Sequence, residues 1–306
     1  MKFYSVSQHP SFSRPLATLT CVLGGLLPVF HASGQVLFTE NFNDGLGSTR
    51  WTVSESSGVN ASNFAYDYST VGIPAAPSGT GTTGLRLDSN LGPTGASSAI
   101  LAFPNGQNFS TPITLSFDLW LNVAGSATTE FAIFGVGHTS TATQVPNTAT
   151  PGTGPVNHGI HYAMTGDNGA ARDARVYVDG AEQTGTAGGF AGGTAQATQN
   201  PPYSEAYLGA IPGNQWLQVE MTALADRTIF SVNGNIWAET LTTPGTGNIM
   251  VGYMDIFTSV APNTVFAVYD NVVVAVPEPA VFGVAAGLAV FLLPVLRRRF
   301  QRSHKA

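Results

Sequence analysis

Between residues 36 and 275 apolar residues recur in short β-rich runs rather than at helical spacing. The runs are Val36–Phe42, Leu85–Asp88, Ile113–Val123, Phe131–Val136, Val176–Val178, Trp216–Thr222, Thr228–Val232, Ile249–Tyr253 and Val265–Val274. Turn-forming residues bound most of them. Two hairpins are marked by their turns: Val176-Tyr177-Val178 leads into Asp179-Gly180, and Phe230-Ser231-Val232 into Asn233-Gly234. Both dipeptides accept the positive φ angles that a two-residue type I′ turn requires. With no helices to cross parallel strands, the pattern predicts an all-β fold: an antiparallel two-sheet jelly-roll sandwich. Two stretches read as long loops, Thr139–Asn157 and Gln183–Pro202, and their Thr, Gly and Ala content reads as spacer.

The two ends depart from this pattern. Lys2 and Arg14 precede an apolar run from Leu16 to Phe30, and Ala32-Ser33-Gly34 follows. A basic start, an apolar middle and small residues before Gln35 make residues 1–34 a signal peptide, to be handled by the Sec machinery and signal peptidase. At the far end Ala280–Leu296 is an uncharged apolar run of 17 residues, about 25 Å as a helix. Arg297, Arg298, Arg299 and Arg302 follow it, a basic tail that stays cytoplasmic by the positive-inside rule. The expected topology is a transient inner-membrane anchor with the body outside the cytoplasm. Cys21, the only cysteine, lies in the signal segment, so the exported body rests on packing rather than disulfides.

Charge narrows the partners. Only 10% of the 306 residues are charged, against roughly 25% in an ordinary globular chain. Residues 36–275 hold five arginines and 17 acids, a formal charge of −12. Such a body repels a phosphate backbone, which excludes nucleic acid as a partner.

Directly before the apolar run stands Val276-Pro277-Glu278-Pro279. The motif Pro277, Glu278, Pro279, the apolar span and the arginine cluster together resemble the PEP-CTERM sorting signal of Gram-negative bacteria over residues 276–306. The resemblance implies processing by an exosortase, display at the cell surface or release into an extracellular, biofilm-type matrix, and contact with extracellular polysaccharide. Two prolines hold the motif extended, so a protease can read it without melting a helix.

Residues 35–275 carry a second resemblance. Val36 through Phe38-Thr39-Glu40-Asn41-Phe42-Asn43-Asp44-Gly45 to Trp51, Trp216-Leu217-Gln218-Val219, Ile229-Phe230-Ser231-Val232-Asn233-Gly234 and the final Tyr269-Asp270-Asn271-Val272 are similar to concanavalin A-like, LamG-type sandwiches. That resemblance implies neighbouring first and last strands. It leaves function open, because the fold carries lectins, carbohydrate-binding modules, glycosidases and adhesion modules.

The candidate chemistry is sparse. If the first and last strands pair, Glu40, Asn43 and Asp44 meet Asp270 and Asn271, an oxygen set suited to a structural calcium ion. A retaining glycosidase of this scaffold needs convergent carboxylates, about 5–5.5 Å apart. Glu130, Glu182, Glu205, Glu220 and Glu239 are instead scattered singly, with no Glu-x-Asp-x-x-Glu strand. Gly79-Thr80-Gly81-Thr82-Thr83-Gly84 has the spacing of a dinucleotide loop but lacks the preceding strand and following helix. His138, His158 and His161 could bind zinc, although polar surface histidines are the default. Of the aromatics, Trp120 and Trp216 sit in apolar strands, while Trp237, Tyr203 and Tyr207 are better placed to stack on a sugar.

The sequence thus predicts an exported, exosortase-sorted, non-catalytic surface protein with a structural or carbohydrate-binding role. A polysaccharide hydrolase or lyase and a pure adhesion scaffold are the alternatives. Mass spectrometry of the chain made in an exosortase-bearing Gram-negative host is expected to give Gln35 as its first residue. Replacing Pro277 and Pro279 by Ala should leave the chain uncut in the inner membrane. A mature chain that retains residues 1–34 contradicts this reading.

Overall fold

The structure is a computed structural model that describes residues 34–123, 130–149, 151–166, 174–183, 212–258 and 264–277. Residues 1–33, Tyr203, Tyr207, Glu278, Pro279 and the basic tail from Arg297 onward lie outside the described residues. No helix among the described residues is long and apolar enough to cross a membrane.

The described chain is all-β, with two antiparallel sheets. Its strands are β1 (Val36–Glu40), β2 (Trp51–Glu55), β3 (Ala61–Asp67), β4 (Thr83–Asp88), β5 (Ser98–Pro104), β6 (Ile113–Asn122), β7 (Glu130–His138) and β8 (Ile160–Thr165). Then follow β9 (Ala174–Val178), β10 (Ala181–Glu182), β11 (Trp216–Ala223), β12 (Thr228–Val232), β13 (Asn235–Thr240), β14 (Asn248–Asp255) and β15 (Phe266–Ala275). One sheet runs β13-β12-β11-β6-β15-β4-β3, with β1 also on β15; the other runs β10-β9-β8-β7-β14-β5-β2.

Both hairpins form as the sequence predicts. Asp179 and Gly180 take φ of 47° and 79°, and Asn233 and Gly234 take 50° and 75°. Val178 then pairs with Ala181, and Val232 with Asn235, across two-residue turns. The first and last strands pair as well, with Glu40 opposite Val272. β15 is split by a bulge between Asp270 and Val273, where Asn271 adopts φ 52°. Before the bulge β15 pairs with β4, and after it with β1. The bulge is therefore where one edge partner replaces another.

The core lies between the sheets. Leu115, Phe117, Leu119 and Leu121 of β6 face Phe134, Tyr162 and Tyr253 of the other sheet in one buried cluster. The alternation of β6 and β11 turns their polar residues to the opposite face, as a period of two requires. A second cluster lies on the outer face of the β7 sheet, with Leu101, Phe103, Ile133, Met250 and Met254. The segment 139–157 contributes Val156 to it. This segment is tied down, not a spacer: Thr143 Oγ1 donates to Ser54 Oγ at 2.8 Å, Gln144 N to the Pro155 carbonyl at 2.8 Å, and Thr153 bridges to Ala181. The second expected loop is described only at Gln183.

Trp237 corrects an expectation. It is fully buried in the main core and offers no surface to a sugar. The cause is a register shift between Phe230 and Ser231: Phe230 pairs with Ala238 and Ser231 with Ile236, so Trp237 is the extra residue of a bulge. Trp237 and Ala238 both turn inward, and Ile236 is left exposed. Truncating a buried indole removes its transfer energy and leaves a cavity. Trp237→Ala is expected to lower the unfolding free energy by about 3–5 kcal/mol in urea titration; a loss under about 1 kcal/mol would place the indole at the surface.

Candidate functional site

The outer face of the β6 sheet divides into a covered half and an open half. The segment from Tyr68 to Thr82 lies over the first. Tyr68, Ile73, Trp120, Phe266 and Val268 form a small apolar cluster there, with Tyr66 and Trp216 at its margin. Trp120 and Trp216 meet edge to face at 5.7 Å, and Trp216 Nε1 donates to the Pro74 carbonyl at 2.7 Å. Both indoles are thus engaged by the covering segment, outside the inter-sheet core.

Beneath the far end of this segment two carboxylates stand directly opposite each other, Asp118 on β6 and Asp270 on β15. Both are buried. Asp118 accepts from Ser78 N at 3.0 Å, Ser78 Oγ at 2.9 Å and Asn271 Nδ2 at 2.8 Å. Asp270 accepts from Tyr68 OH at 3.0 Å and from Asn271 N at 2.7 Å. Removal from water, offset in part by these bonds, pushes the Asp270 carboxyl up to about 7. The glycines of the dinucleotide-like run serve this network. A Cβ on Gly79 would strike the Asn271 carboxamide, and one on Gly81 that of Asn43. The run is a close-packed coil leading into β4, not a phosphate cradle.

The open half is a groove of about 610 Å³ beside the bulge. Its floor and walls include Thr39, Ser116, Gln218, Glu220, Ser231 and Asn271. Gln218 and Glu220 are exposed. At one end Arg50 forms a double fork. Its Nε and Nη2 reach Glu40 at 2.7 and 2.8 Å, and its Nη1 and Nη2 reach Asp44 at 2.9 Å each. The guanidinium, by accepting no proton and offering five donors, holds Asp44 down at about 2.

The residues expected to share a calcium ion are therefore divided. Glu40 and Asp44 converge on Arg50; Asn43 packs on Gly81; Asp270 and Asn271 turn to Tyr68 and Asp118. Arg50 supplies the positive charge that the acids need, and among the described residues no group of three His, Cys, Asp or Glu side chains stands where it could hold a metal ion. The donors do not fit calcium as the sequence drew it. Arg50, Tyr68, Ser78 and Asp118 were not singled out in the sequence. Only Arg50 carried a signal: one of five arginines in the body, it follows two acids by ten and six residues.

Other acids are also engaged. Glu239 pairs with Arg227 at 2.7 Å, and Glu182 with Arg175 at 3.3 Å in a buried pair. The histidines are not surface groups. His138 and His161 are buried and His158 half-buried, and burial lowers the basicity of all three rings.

No protein-family model and no curated protein matches the chain. Solved structures similar to it include a Bacillus subtilis protein with a galectin-like fold, at 13% identity and TM-score 0.44, covering 79% of this chain and 96% of that one. A Bacillus licheniformis β-glucanase is similar at 14% identity and TM-score 0.42, over 80% and 100% of the two chains. A Bacillus subtilis carbohydrate-binding module is similar at 12% identity and TM-score 0.39, over 74% and 94%.

Asp270 generates a pH test. Its folded pKa lies above that of an unfolded aspartate, so the folded state holds the extra proton between about pH 4 and 7. The stability it contributes is complete in acid and is lost as pH rises through about 7. Asp270→Asn, neutral throughout, should be the more stable form at pH 8, and its advantage in melting temperature should shrink toward pH 5. A difference independent of pH contradicts the burial of this carboxyl.

Proposed function

We propose that the sandwich is a non-catalytic, carbohydrate-binding module of an exported surface or matrix protein, and that the groove beside β6 and β11 is where a saccharide lies. One observation carries this reading. Around the groove the described carboxylates are engaged: Glu40 and Asp44 by Arg50, Asp118 by Ser78 and Asn271, Asp270 by Tyr68 and Asn271, while exposed Glu220 accepts only from Thr222 Oγ1, at 3.1 Å, and stands without a second carboxyl facing it. A glycosidase needs two free carboxyl groups converging on one bond. What the groove does present is a run of neutral hydrogen-bonding side chains, Thr39, Ser116, Gln218 and Ser231, on a rigid strand surface. Donor and acceptor groups of this kind match sugar hydroxyls, and rigid strands hold them in place without ordering cost.

The sequence resemblance to LamG-type sandwiches is compatible with this reading, since carbohydrate-binding modules are among the functions that fold carries, and does not by itself choose it. The signal segment, the Pro277-Glu278-Pro279 motif and the basic tail support export, exosortase sorting and an extracellular polysaccharide as partner. A free hydrolase or lyase and a ligandless scaffold are the competing readings.

A glycan array probed with the full chain, followed by calorimetry on the best polysaccharide, tests this. Binding is expected without release of reducing ends, and Gln218→Ala with Ser231→Ala should weaken it about tenfold, roughly the worth of one or two hydrogen bonds. Release of reducing ends that Glu220→Gln abolishes would make the protein an enzyme. No glycan bound at all would leave the scaffold reading.

A further inference from the structure

The chain enters the sandwich next to where it leaves it. Gln35 is the residue before β1, and its carbonyl accepts from Val276 N at 2.9 Å. Val36 then pairs with Ala275. The backbone of Gln35 is thus fastened to the end of the last strand, directly before Pro277. Its side chain is exposed, and no hydrogen bond among the described residues ties its carboxamide down. A cut between Gly34 and Gln35 puts a free α-amine and this carboxamide on the same residue.

An amine so placed closes on the carboxamide as a lactam. The α-nitrogen attacks Cδ, the N–Cδ bond forms and the Cδ–Nε2 bond breaks. The attacking nitrogen gives up one proton, which leaves with Nε2 as ammonia, so the step needs no oxidant, reductant or second substrate. The nucleophile is available: an α-amine is a weaker base than a lysine side chain, and about a tenth of it or more is unprotonated at pH 7. Both reacting groups are held on one residue, so only side-chain torsions have to turn. The ring leaves the Gln35 carbonyl outside it, so the bond from Val276 N and the pairing of β1 with β15 survive closure.

The amine inventory of the chain gives this closure a consequence. The only lysines are Lys2 and Lys305, both in the flanks. Residues 35–275 hold none, so once residues 1–34 are gone their one amine is that of Gln35. The cations of the described body are guanidinium groups instead, and Arg50, Arg86, Arg175 and Arg227 each reach a carboxylate. An amine is the group that condenses with a carbonyl to a Schiff base, and the reducing end of a polysaccharide is a masked aldehyde. We propose that Gln35 becomes the N-terminal pyroglutamate of the exported chain, by loss of ammonia, and that residues 35–275 thereby present no amine to the saccharides around them. This closure depends on the reading that residues 1–34 are removed before Gln35. The cyclised terminus is neutral and resists enzymes that require a free α-amine.

The untagged chain, exported by an exosortase-bearing Gram-negative host and held at pH 8, is treated intact with an amine-acylating reagent and then digested with trypsin. Acylating first prevents closure during digestion. The peptide Gln35–Arg50 is expected without the acyl label, lighter than its sequence by one ammonia, and co-eluting with a synthetic pyroglutamyl peptide. The same peptide from Gln35→Ala is expected to carry the label, because alanine has no carboxamide to close on. A wild-type peptide that begins at Gln35, keeps its ammonia and takes the label overturns the proposal and leaves the export reading standing. An unlabelled Gln35→Ala peptide also overturns it, because the block would then not be a lactam. A first residue other than Gln35 overturns both the cut and the closure.

Discussion

The arrangement of the outer β6 face depends on burying Asp118 and Asp270 side by side. Two carboxylates opposite each other in neighbouring strands repel, and leaving water costs each of them solvation. The fold answers with a fixed set of donors: Tyr68 and Ser78 from the covering segment and Asn271 from the bulge, which serves both acids at once. These bonds clamp residues 68–82 over one half of the sheet and leave the other half open. The groove exists because the cover stops there.

The bulge at Asn271 links this network to the topology. It ends the pairing of β15 with β4 and starts its pairing with β1. β1 then delivers Glu40 to the rim of the groove, where Arg50 neutralises it. Arg50 therefore does at this rim what an ion was expected to do, with a planar fork that matches two carboxylates. The same pairing that the sequence led one to expect thus produces a different chemistry, because a nearby cation was already encoded in the chain.

Local signals were legible and long-range ones were not. The Asp179-Gly180 and Asn233-Gly234 turns could be read because two residues determine them. β6, β11 and β12 could be read because β-rich runs lie between turn formers. β5 was missed: Ser98–Pro104 shows no alternation and has only Ile100 and Phe103 as strong strand formers among Ser, Ala, Leu and Pro, whereas β7, equally buried, is marked by Phe131, Ile133, Phe134 and Val136. Trp237 was misplaced because a bulge inverts the side that simple alternation assigns, and no local residue announces it. The Asp118–Asp270 pair joins strands far apart in the chain, and neither acid has a neighbour in sequence that marks it. The segment 139–157 looked like a spacer by composition, yet backbone bonds and Val156 fix it to the sheet. Glycine and threonine content reports on conformational freedom, not on whether the backbone finds partners.

The central claim is that a saccharide lies in the groove while the buried carboxylates stay closed. Hydrogen exchange with and without a bound oligosaccharide tests it most directly. Slower exchange is expected at residues 39–41, 216–220 and 231–234, with the already protected amides of residues 78 and 271 unchanged. Protection confined to the outer face of the β7 sheet, or faster exchange at residues 76–82 as the cover lifts to expose Asp118 and Asp270, would contradict it.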